Sequence, residues 1–458
     1  MTNKTYYIQK ICATAIAMLI VTACEDFVTI DPPQTTLSTT TVFNDEGTAR
    51  AAVNRIYIDM MQYYQSFSSG GTSLNNMGGL AADEFDNFDT FNGMAQFASN
   101  EITPVNSNIS THWNQIYNLI YQANAVMAGL EKSSLTSTTK SKLEGEALFM
   151  HAYLHFLLVS YWNDVPWITT TDYVTNAKAE RMPAAEVYQN IITELLLAKE
   201  KLPTESTQRI RPTKFAAAAL LARAYLFTNN YTAAEQQATE VISQFPLESD
   251  LNNVFLIGST ETIFQLQSII PGFNTWDGDA YIMVSTPQTV ALSNGFMSAF
   301  EMNDARKLSW TNSYSEGAEI WFYPFKYKVR RLLNVNSEKT EYQVILRAGE
   351  QYLIRAEARA NLSNLSGSLD DLNTIRTRAG LTSSLAATQA ELLLAIEQER
   401  RIELFSENGH RWLDLKRTGR LDAVIGAIKP GWQSTDALFP IPQNERNRNS
   451  NLSQNPGY

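Results

Sequence analysis

The segment at residues 215–248 places small and aromatic residues at the spacing of a helical pair about 34 residues long. The positions that carry the pattern are Leu221, Ala222, Tyr225, Tyr231, Ala234, Ala238 and Pro246. A weaker copy follows later in the chain at Ala356, Leu365, Ser368, Leu372 and Ile375. A repeated helical pair constrains the fold strongly, because each pair must bury its apolar face against a neighbouring pair.

Four other segments place apolar residues three and four positions apart, which predicts further helices. Their apolar faces run over residues 49–60, 113–127, 143–161 and 187–202. Together with the repeat, they predict a mainly α-helical protein. We expect a scaffold of tetratricopeptide-like helical pairs that forms a single body over residues 42–458.

Two long insertions break the helical pattern at residues 62–110 and 250–342. The first is rich in Gly, Asn, Ser, Phe and Asp, and the second is rich in aromatic and turn-forming residues. Long irregular segments on a rigid frame commonly carry function. We therefore expect the ligand-binding surface in these two segments.

The N-terminus predicts an exported and acylated chain. Lys4 and Lys10 accompany an apolar stretch at residues 11–23, which has the length of a signal-peptide core and is too short to cross a bilayer. Small residues then lead directly into Cys24, as in a bacterial lipobox. We expect a signal peptide at residues 1–23, acylation of Cys24, and a flexible tether over residues 24–41. An ordinary secretory signal that contains a cysteine is the alternative.

The charge balance argues against nucleic acid as a partner. The chain has 36 Lys and Arg residues against 47 Asp and Glu residues, a formal net charge of −11. Phosphate backbones are bound by clustered basic residues, which such an acidic chain disfavours. No apolar run in the sequence reaches the roughly 18–20 residues of a spanning helix, so the expected membrane contact is the lipid anchor alone.

Catalytic and metal-binding patterns in the sequence are weak. His151 and His155 have the spacing of a zinc pair, but no glutamate lies between them, and packing in the core is the favoured interpretation. Glu403 and Glu407 are expected on a solvated, ion-paired helix face rather than as an acid–base pair. We therefore expect a protein that is not an enzyme and has no cofactor, and we assign no metal-binding residues; whether a metal such as calcium assists binding stays open.

Aromatic and polar residues in the two insertions predict a carbohydrate site. Flat aromatic rings stack against the C–H faces of sugars, while amides and carboxylates bind the hydroxyls. The expected ligand-binding residues are Asp83, Phe88, Asn92, Trp276, Tyr281, Trp310, Trp321 and Tyr323. At least two of the three tryptophans are expected to face solvent together.

The most specific motif lies at residues 399–419 and reads ERRIELFSENGHRWLDLKRTG. Its charged residues can form ion pairs within one helical turn, Gly409 is expected to end that helix, and Trp412 and Leu415 are expected to dock the next helix on the frame. The chain ends in NLSQNPGY, and residues 144–166 end in YWNDVP. With the lipobox and the helical pairs, these motifs resemble the SusD/RagB family of outer-membrane nutrient-binding lipoproteins over essentially the whole chain from Cys24 onward.

The resemblance implies a lipoprotein anchored in the outer membrane and facing the cell exterior. It implies that the protein captures oligosaccharides and passes them to a SusC-like TonB-dependent barrel without breaking a bond. Peptide capture of the RagB kind is the alternative within the family. A scaffold that only organises other envelope proteins is the alternative from a different class.

Overall fold

The computed structural model describes residues 42–62, 71–91 and 93–458. The predicted signal peptide, the acylated Cys24 and the tether at residues 24–41 lie outside the described residues, as does the candidate ligand residue Asn92. These four expectations therefore stay predictions.

Helices dominate the regular structure of the described residues. In chain order they are α1 (Glu46–Gln62), α2 (Leu74–Ala81), α3 (Ala95–Ser99), α4 (Ser107–Glu131), α5 (Ser137–Trp162), α6 (Tyr173–Asn176), α7 (Ala184–Lys201), α8 (Lys214–Phe227), α9 (Tyr231–Ile242), α10 (Trp276–Tyr281), α11 (Asn294–Met297), α12 (Ala305–Trp310), α13 (Ala348–Asn361), α14 (Leu365–Arg378), α15 (Gln389–Glu403), α16 (His410–Arg417), α17 (Leu421–Val424) and α18 (Gln443–Arg448). The strands are β1 (Phe85–Asn87), β2 (Thr262–Leu266), β3 (Val290–Leu292), β4 (Thr311–Glu316), β5 (Glu319–Pro324) and β6 (Gln343–Arg347).

The long helices pack side by side as a helical frame. α4 packs between α1 and α5, and the series continues through α7, α8, α9, α13 and α14. Threonine side chains fix where several of these helices begin, since each accepts a hydrogen bond from a first-turn N–H. The capping residues of α5, α8 and α15 are Thr136, Thr213 and Thr388.

The two predicted repeats are helical pairs that contact each other directly. The first is α8 with α9, and the second is α13 with α14. Ala222, Ala234 and Ala238 of the first pair share one buried cluster with Ile354 and Ala358 of the second. Their small side chains allow the helix axes to approach closely. The prediction of a mainly α-helical, tetratricopeptide-like scaffold is confirmed.

The two insertions are more ordered than predicted, because they build a four-stranded sheet. The strand order is β1-β3-β5-β4, so the first insertion supplies one edge and the second supplies the other three strands. Phe85 pairs with Leu292, which in turn pairs with Phe322. This strand pairing within otherwise irregular segments was not predicted, since the pairing of β1 depends on a partner far away in the sequence.

The carboxylates of the 399–419 motif lie in a buried ion cluster rather than on a solvated face. Glu403 contacts Arg347 at 2.6 Å and Arg306 at 3.0 Å, and Glu407 contacts Arg347 at 2.8 Å. All four side chains are buried. The prediction of solvation for Glu403 and Glu407 is therefore wrong. Because Arg306 belongs to the second insertion and the glutamates to the C-terminal motif, the cluster joins the insertion to the frame.

Gly409 begins α16 instead of ending α15, which corrects the expected helix boundary. Its φ is +68°, and a Cβ at this position would lie 2.1 Å from the hydroxyl oxygen of Tyr161. Both the backbone conformation and the close contact therefore require glycine. Trp412 and Leu415 are buried against the frame, as predicted.

Candidate ligand-binding face

One side of the four-stranded sheet carries aromatic residues from the β4–β5 hairpin. Tyr314 lies directly opposite Trp321, and Asn312 lies directly opposite Tyr323. Residues two apart in a strand point to the same side of the sheet, so these four side chains share one face. Opposite side chains of antiparallel strands are close neighbours. The hairpin therefore places three rings and one amide on the same side of the sheet.

β1 adds two residues to the same surface. Phe85, Leu292 and Phe322 are in register across three strands and point to the other side, toward the core. Asp86 must then point to the side of Trp321 and Tyr323, because adjacent residues alternate. The backbone N–H of Phe88 continues the ladder with a 2.8 Å bond to the residue before β3, which keeps Phe88 on that side too. We call the surface formed by Asp86, Phe88, Asn312, Tyr314, Trp321 and Tyr323 the aromatic face.

The aromatic face is open at the hairpin and closed at its far end. Asn312 is exposed and Tyr314 and Trp321 are half-buried, whereas Tyr323 is buried. Desolvation raises the pKa of Tyr323, and its hydroxyl has no hydrogen-bond partner in the described part of the chain. Packing at the closed end therefore holds the ring of Tyr323 in place. The amide of Asn312 and the hydroxyl of Tyr323 can still bind a ligand.

Asp86 is the one carboxylate of β1, and it makes no ion pair or hydrogen bond through its side chain with any described residue. Desolvation raises its pKa above the ordinary range, and no neighbouring cation opposes this effect. Neighbouring strands lie about 4.8 Å apart, so Asp86 on β1 is roughly 10 Å from the position of Tyr323 on β5, and Trp321 lies two residues further along that strand. The face is therefore wide enough for a ligand longer than one ring.

A loop next to the aromatic face presents Phe91, whose side chain is 94% exposed. Asn87 and Asp89 hold this loop through side-chain bonds to backbone groups, including one of 2.9 Å from the N–H of Phe91 to Oδ1 of Asp89. Such turns order a loop locally. A large apolar ring is thus held in solvent beside a surface of other rings.

The arrangement suits carbohydrate more than other small ligands. Aromatic faces bind apolar C–H surfaces, and the amide and carboxylate at their edges bind hydroxyl groups. The six residues of the aromatic face include no serine, cysteine, lysine or histidine, and they can bind and orient a ligand.

Comparisons with known proteins agree with this picture. A family model described as "Starch-binding associating with outer membrane" matches residues 33–226, and a model described as "SusD family" matches residues 259–458. The chain belongs to the SusD family. The resemblance noted in the sequence motifs is confirmed, and with it membership of a family of glycan-binding proteins associated with the outer membrane.

Relatives of this SusD-family chain match it over nearly its full length. The SusD-like protein P2 of Formosa agariphila is 27% identical over 97% of this chain and 98% of that protein. A SusD superfamily protein from Bacteroides vulgatus has a crystal structure that matches with a TM-score of 0.80 at 21% identity, over 91% of this chain and 100% of that chain. A structure described as a laminarin-binding SusD-like protein has a TM-score of 0.77 at 21% identity, over 91% of this chain and 100% of that chain. The structural likenesses establish the SusD fold.

Three predicted ligand residues of the SusD-like body lie in or against its core instead. Trp310 is 0% exposed and donates its indole N–H to the carbonyl of Leu251 at 2.9 Å. Tyr281 is buried, and Trp276 donates its indole N–H to the carbonyl of Met61 at 2.6 Å. Trp310 therefore cannot face solvent, and of the three tryptophans only Trp321 lies on the aromatic face.

Asp83 is a structural residue rather than a free acceptor. Its carboxylate pairs with Arg411 and with Arg401, both at 2.8 Å. Burial opposes ionisation, but the two guanidinium groups hold the pKa of Asp83 below its ordinary value. A sugar hydroxyl would have to compete with two arginines for this carboxylate, which argues against the predicted role of Asp83 in binding.

The histidine pair is packed, as predicted. His151 is buried, with Nδ1 2.7 Å from Glu194 and Nε2 2.8 Å from the carbonyl of Ile168. Residues 42–62, 71–91 and 93–458 contain no group of three or more His, Cys, Asp or Glu side chains that could hold a metal ion. None of the helices in these ranges combines the length and the apolar character that spanning a membrane takes.

Three residues of the aromatic face, Asp86, Asn312 and Tyr314, were not among the predicted ligand residues. Asp86 stands within the motif DNFDTFN, and Tyr314 stands in the first strand of the hairpin. A sequence signal for Tyr314 exists, since Gly317 separates two runs of strand-like alternation and adopts a φ of +64° in the turn. No comparable signal identifies Asp86, because its role depends on the pairing of β1 with β3.

Proposed function

We propose that this protein captures oligosaccharides on the aromatic face. The observation that carries the proposal is the unpaired carboxylate of Asp86 on the same face as Tyr314 and Trp321. A sugar ring that stacks on Trp321 would project its hydroxyls along the sheet, and the next ring would reach the strand of Asp86. The spacing of these groups supports binding of an oligosaccharide rather than a single sugar.

The proposal includes delivery at the cell surface. The lipid chains on Cys24 would hold the protein in the outer membrane, facing the exterior. The bound oligosaccharide would then pass to a SusC-like TonB-dependent barrel. The chemistry is binding and handover, and no bond in the ligand is broken.

Affinity gel electrophoresis over a panel of soluble polysaccharides tests this function, with a reducing-end assay on the same samples. Laminarin belongs in the panel, because one structural neighbour is described as binding it. We expect one glycan class to retard the wild-type protein and to retard the Trp321→Ala/Tyr314→Ala variant much less. Leu385 is exposed and lies outside the face, so Leu385→Ala is the matched control. Equal retardation of wild type and double variant would contradict the proposed site, and new reducing ends would contradict binding without cleavage.

Peptide capture is a second candidate, and the edge position of β4 favours it. Among the described residues β4 pairs only with β5, so its outer N–H and C=O groups can add an extended strand. Main-chain bonds would supply most of the affinity in that mode. Binding of an unstructured peptide library that survives Trp321→Ala/Tyr314→Ala would favour peptides over glycans.

A further inference from the structure

A cavity with a volume of about 370 Å³ lies apart from the aromatic face. It lies between α4, the segment at residues 166–177 and the C-terminal helix α18. None of its lining residues belongs to the four-stranded sheet. The volume lies at the small end of the roughly 300–1,000 Å³ that ligand pockets occupy.

Four aromatic rings line this cavity. Trp113, Tyr117 and Tyr121 follow one another at steps of four along α4, so they lie on one side of that helix, and Tyr173 reaches the cavity from α6. The rings of Trp113 and Tyr117 are 5.0 Å apart and anchor the floor. Tyr121 is 49% exposed and Tyr173 is 80% exposed. Large exposed apolar surfaces that lie next to each other often mark a binding site.

Polar groups at the edges of the rings keep unused hydrogen-bonding capacity. Asn114 and the hydroxyls of Tyr121 and Tyr173 have no side-chain hydrogen-bond partner among the described residues. The floor, in contrast, is fixed, because the hydroxyl of Tyr117 donates to the carbonyl of Pro166 at 2.9 Å. Free polar groups thus surround the open rings while the base of the cavity is held rigidly.

The charges beside the cavity cancel each other. Arg448 forms a 2.8 Å ion pair with Glu445, and both residues line the cavity. A charged ligand would gain little from this balanced pair. The lining therefore favours a neutral ligand that offers a flat apolar surface together with hydroxyl groups at its edge.

We propose that this cavity is a second carbohydrate subsite that binds one or two neutral pyranose rings. The rings of Tyr121 and Tyr173 provide the stacking surface, and Asn114 and Arg448 bind the hydroxyls. The inference rests on the proposed glycan-binding function and adds a place where the same chain holds a second segment of glycan. A polysaccharide bound at both sites is retained more strongly than at either alone, by effective concentration.

Isothermal titration calorimetry with laminarihexaose, cellohexaose, mannohexaose and xylohexaose tests the subsite in the purified protein. Three variants are compared with wild type: Trp321→Ala, Tyr121→Ala/Tyr173→Ala, and all three changes together. The two tyrosines are exposed, so their removal should leave the melting temperature within a few degrees of wild type. We expect the wild-type protein to bind two hexasaccharides and each of the first two variants to bind one. The combined variant should bind with at least tenfold lower affinity.

The outcomes separate the two claims. A Tyr121→Ala/Tyr173→Ala variant with wild-type stoichiometry and affinity would overturn the second subsite while leaving the aromatic face in place. Complete loss of binding in Trp321→Ala alone would also overturn it. Failure of wild type to bind any of the four hexasaccharides would overturn the glycan function together with the subsite.

Discussion

Nη1 of Arg347 lies 2.6 Å from Oε1 of Glu403, and both side chains are buried. Glu403 also meets Arg306 and Arg378, and these charges hold its pKa well below the ordinary value although burial acts against them. Breaking a buried pair leaves charges without partners and costs about 3–5 kcal/mol. We expect Glu403→Ala to lower the free energy of unfolding in urea by that amount. The exposed pair of Glu46 with Arg50 gives the control, and Glu46→Ala should unfold at nearly the wild-type urea concentration.

Asp86 should control how glycan affinity depends on pH. Only the ionised carboxylate accepts hydrogen bonds on both of its oxygens, and the pKa of Asp86 is raised above the ordinary value of about 4. We expect Asp86→Ala to weaken glycan binding about tenfold at pH 7, as for loss of one hydrogen bond to a charged group. Wild-type affinity should fall as the pH is lowered through the pKa of Asp86, whereas Asp86→Asn should show a flat profile. Parallel profiles for wild type and Asp86→Asn in calorimetry would exclude Asp86 from the site.

Glu84 should make the folded protein less stable at alkaline pH. Burial raises its pKa to about 8, the charge of Asp83 adds to the effect, and Oε1 has no hydrogen-bond partner. In the unfolded chain the group ionises near pH 4.3, so between that value and about 8 the folded state holds the extra proton and stability falls as the pH rises. Glu84→Gln should therefore unfold at higher urea than wild type at pH 8.5, and the two should converge near pH 4.5. A constant difference at all pH values would contradict this assignment.

Gly409 should tolerate no larger residue. A Cβ would lie 2.1 Å from the hydroxyl of Tyr161, which donates to the carbonyl of Leu74 at 3.0 Å. We expect Gly409→Ala to destabilise the protein by more than about 2 kcal/mol, from strain and overpacking together. Gly419 has nearly the same φ, +67°, with open space around it, so Gly419→Ala reports the backbone strain alone. In a Tyr161→Phe background Gly409→Ala should cost less, and an equal cost there would show that the contact with Tyr161 is unimportant.

The helical frame could be predicted from the sequence because its signal is local. Ala222, Ala234 and Ala238 lie close together in the sequence, and their small side chains predict close packing of two neighbouring helices. The ion cluster could not be predicted in the same way. Glu403 and Glu407 stand in a motif that fits an exposed helix face equally well, and their burial depends on Arg306 and Arg347 from other segments.

The ligand-binding residues could be predicted by type but not individually. Trp310 and Trp321 lie in the same insertion. Trp310 is the last residue of a short helix and is buried in the core, whereas Trp321 lies in a strand and is only half-buried. The difference is set by the pairing of β5 with β3 and of β3 with β1. Local composition reports none of these long-range pairings, so it could not separate a core ring from a binding ring or single out Asp86.

From the pairing of β1 with β3 we also expect an order in which the parts of the chain fold. These strands come from opposite ends of a long stretch of sequence, with several frame helices between them. Contacts between distant segments form slowly, because much chain entropy is lost before they are made. The helical pairs can assemble early from neighbouring residues, whereas the aromatic face comes into being only when both insertions meet. A partly folded chain would have the helical frame but not the aromatic face. We therefore expect ligand binding only once the whole body has folded.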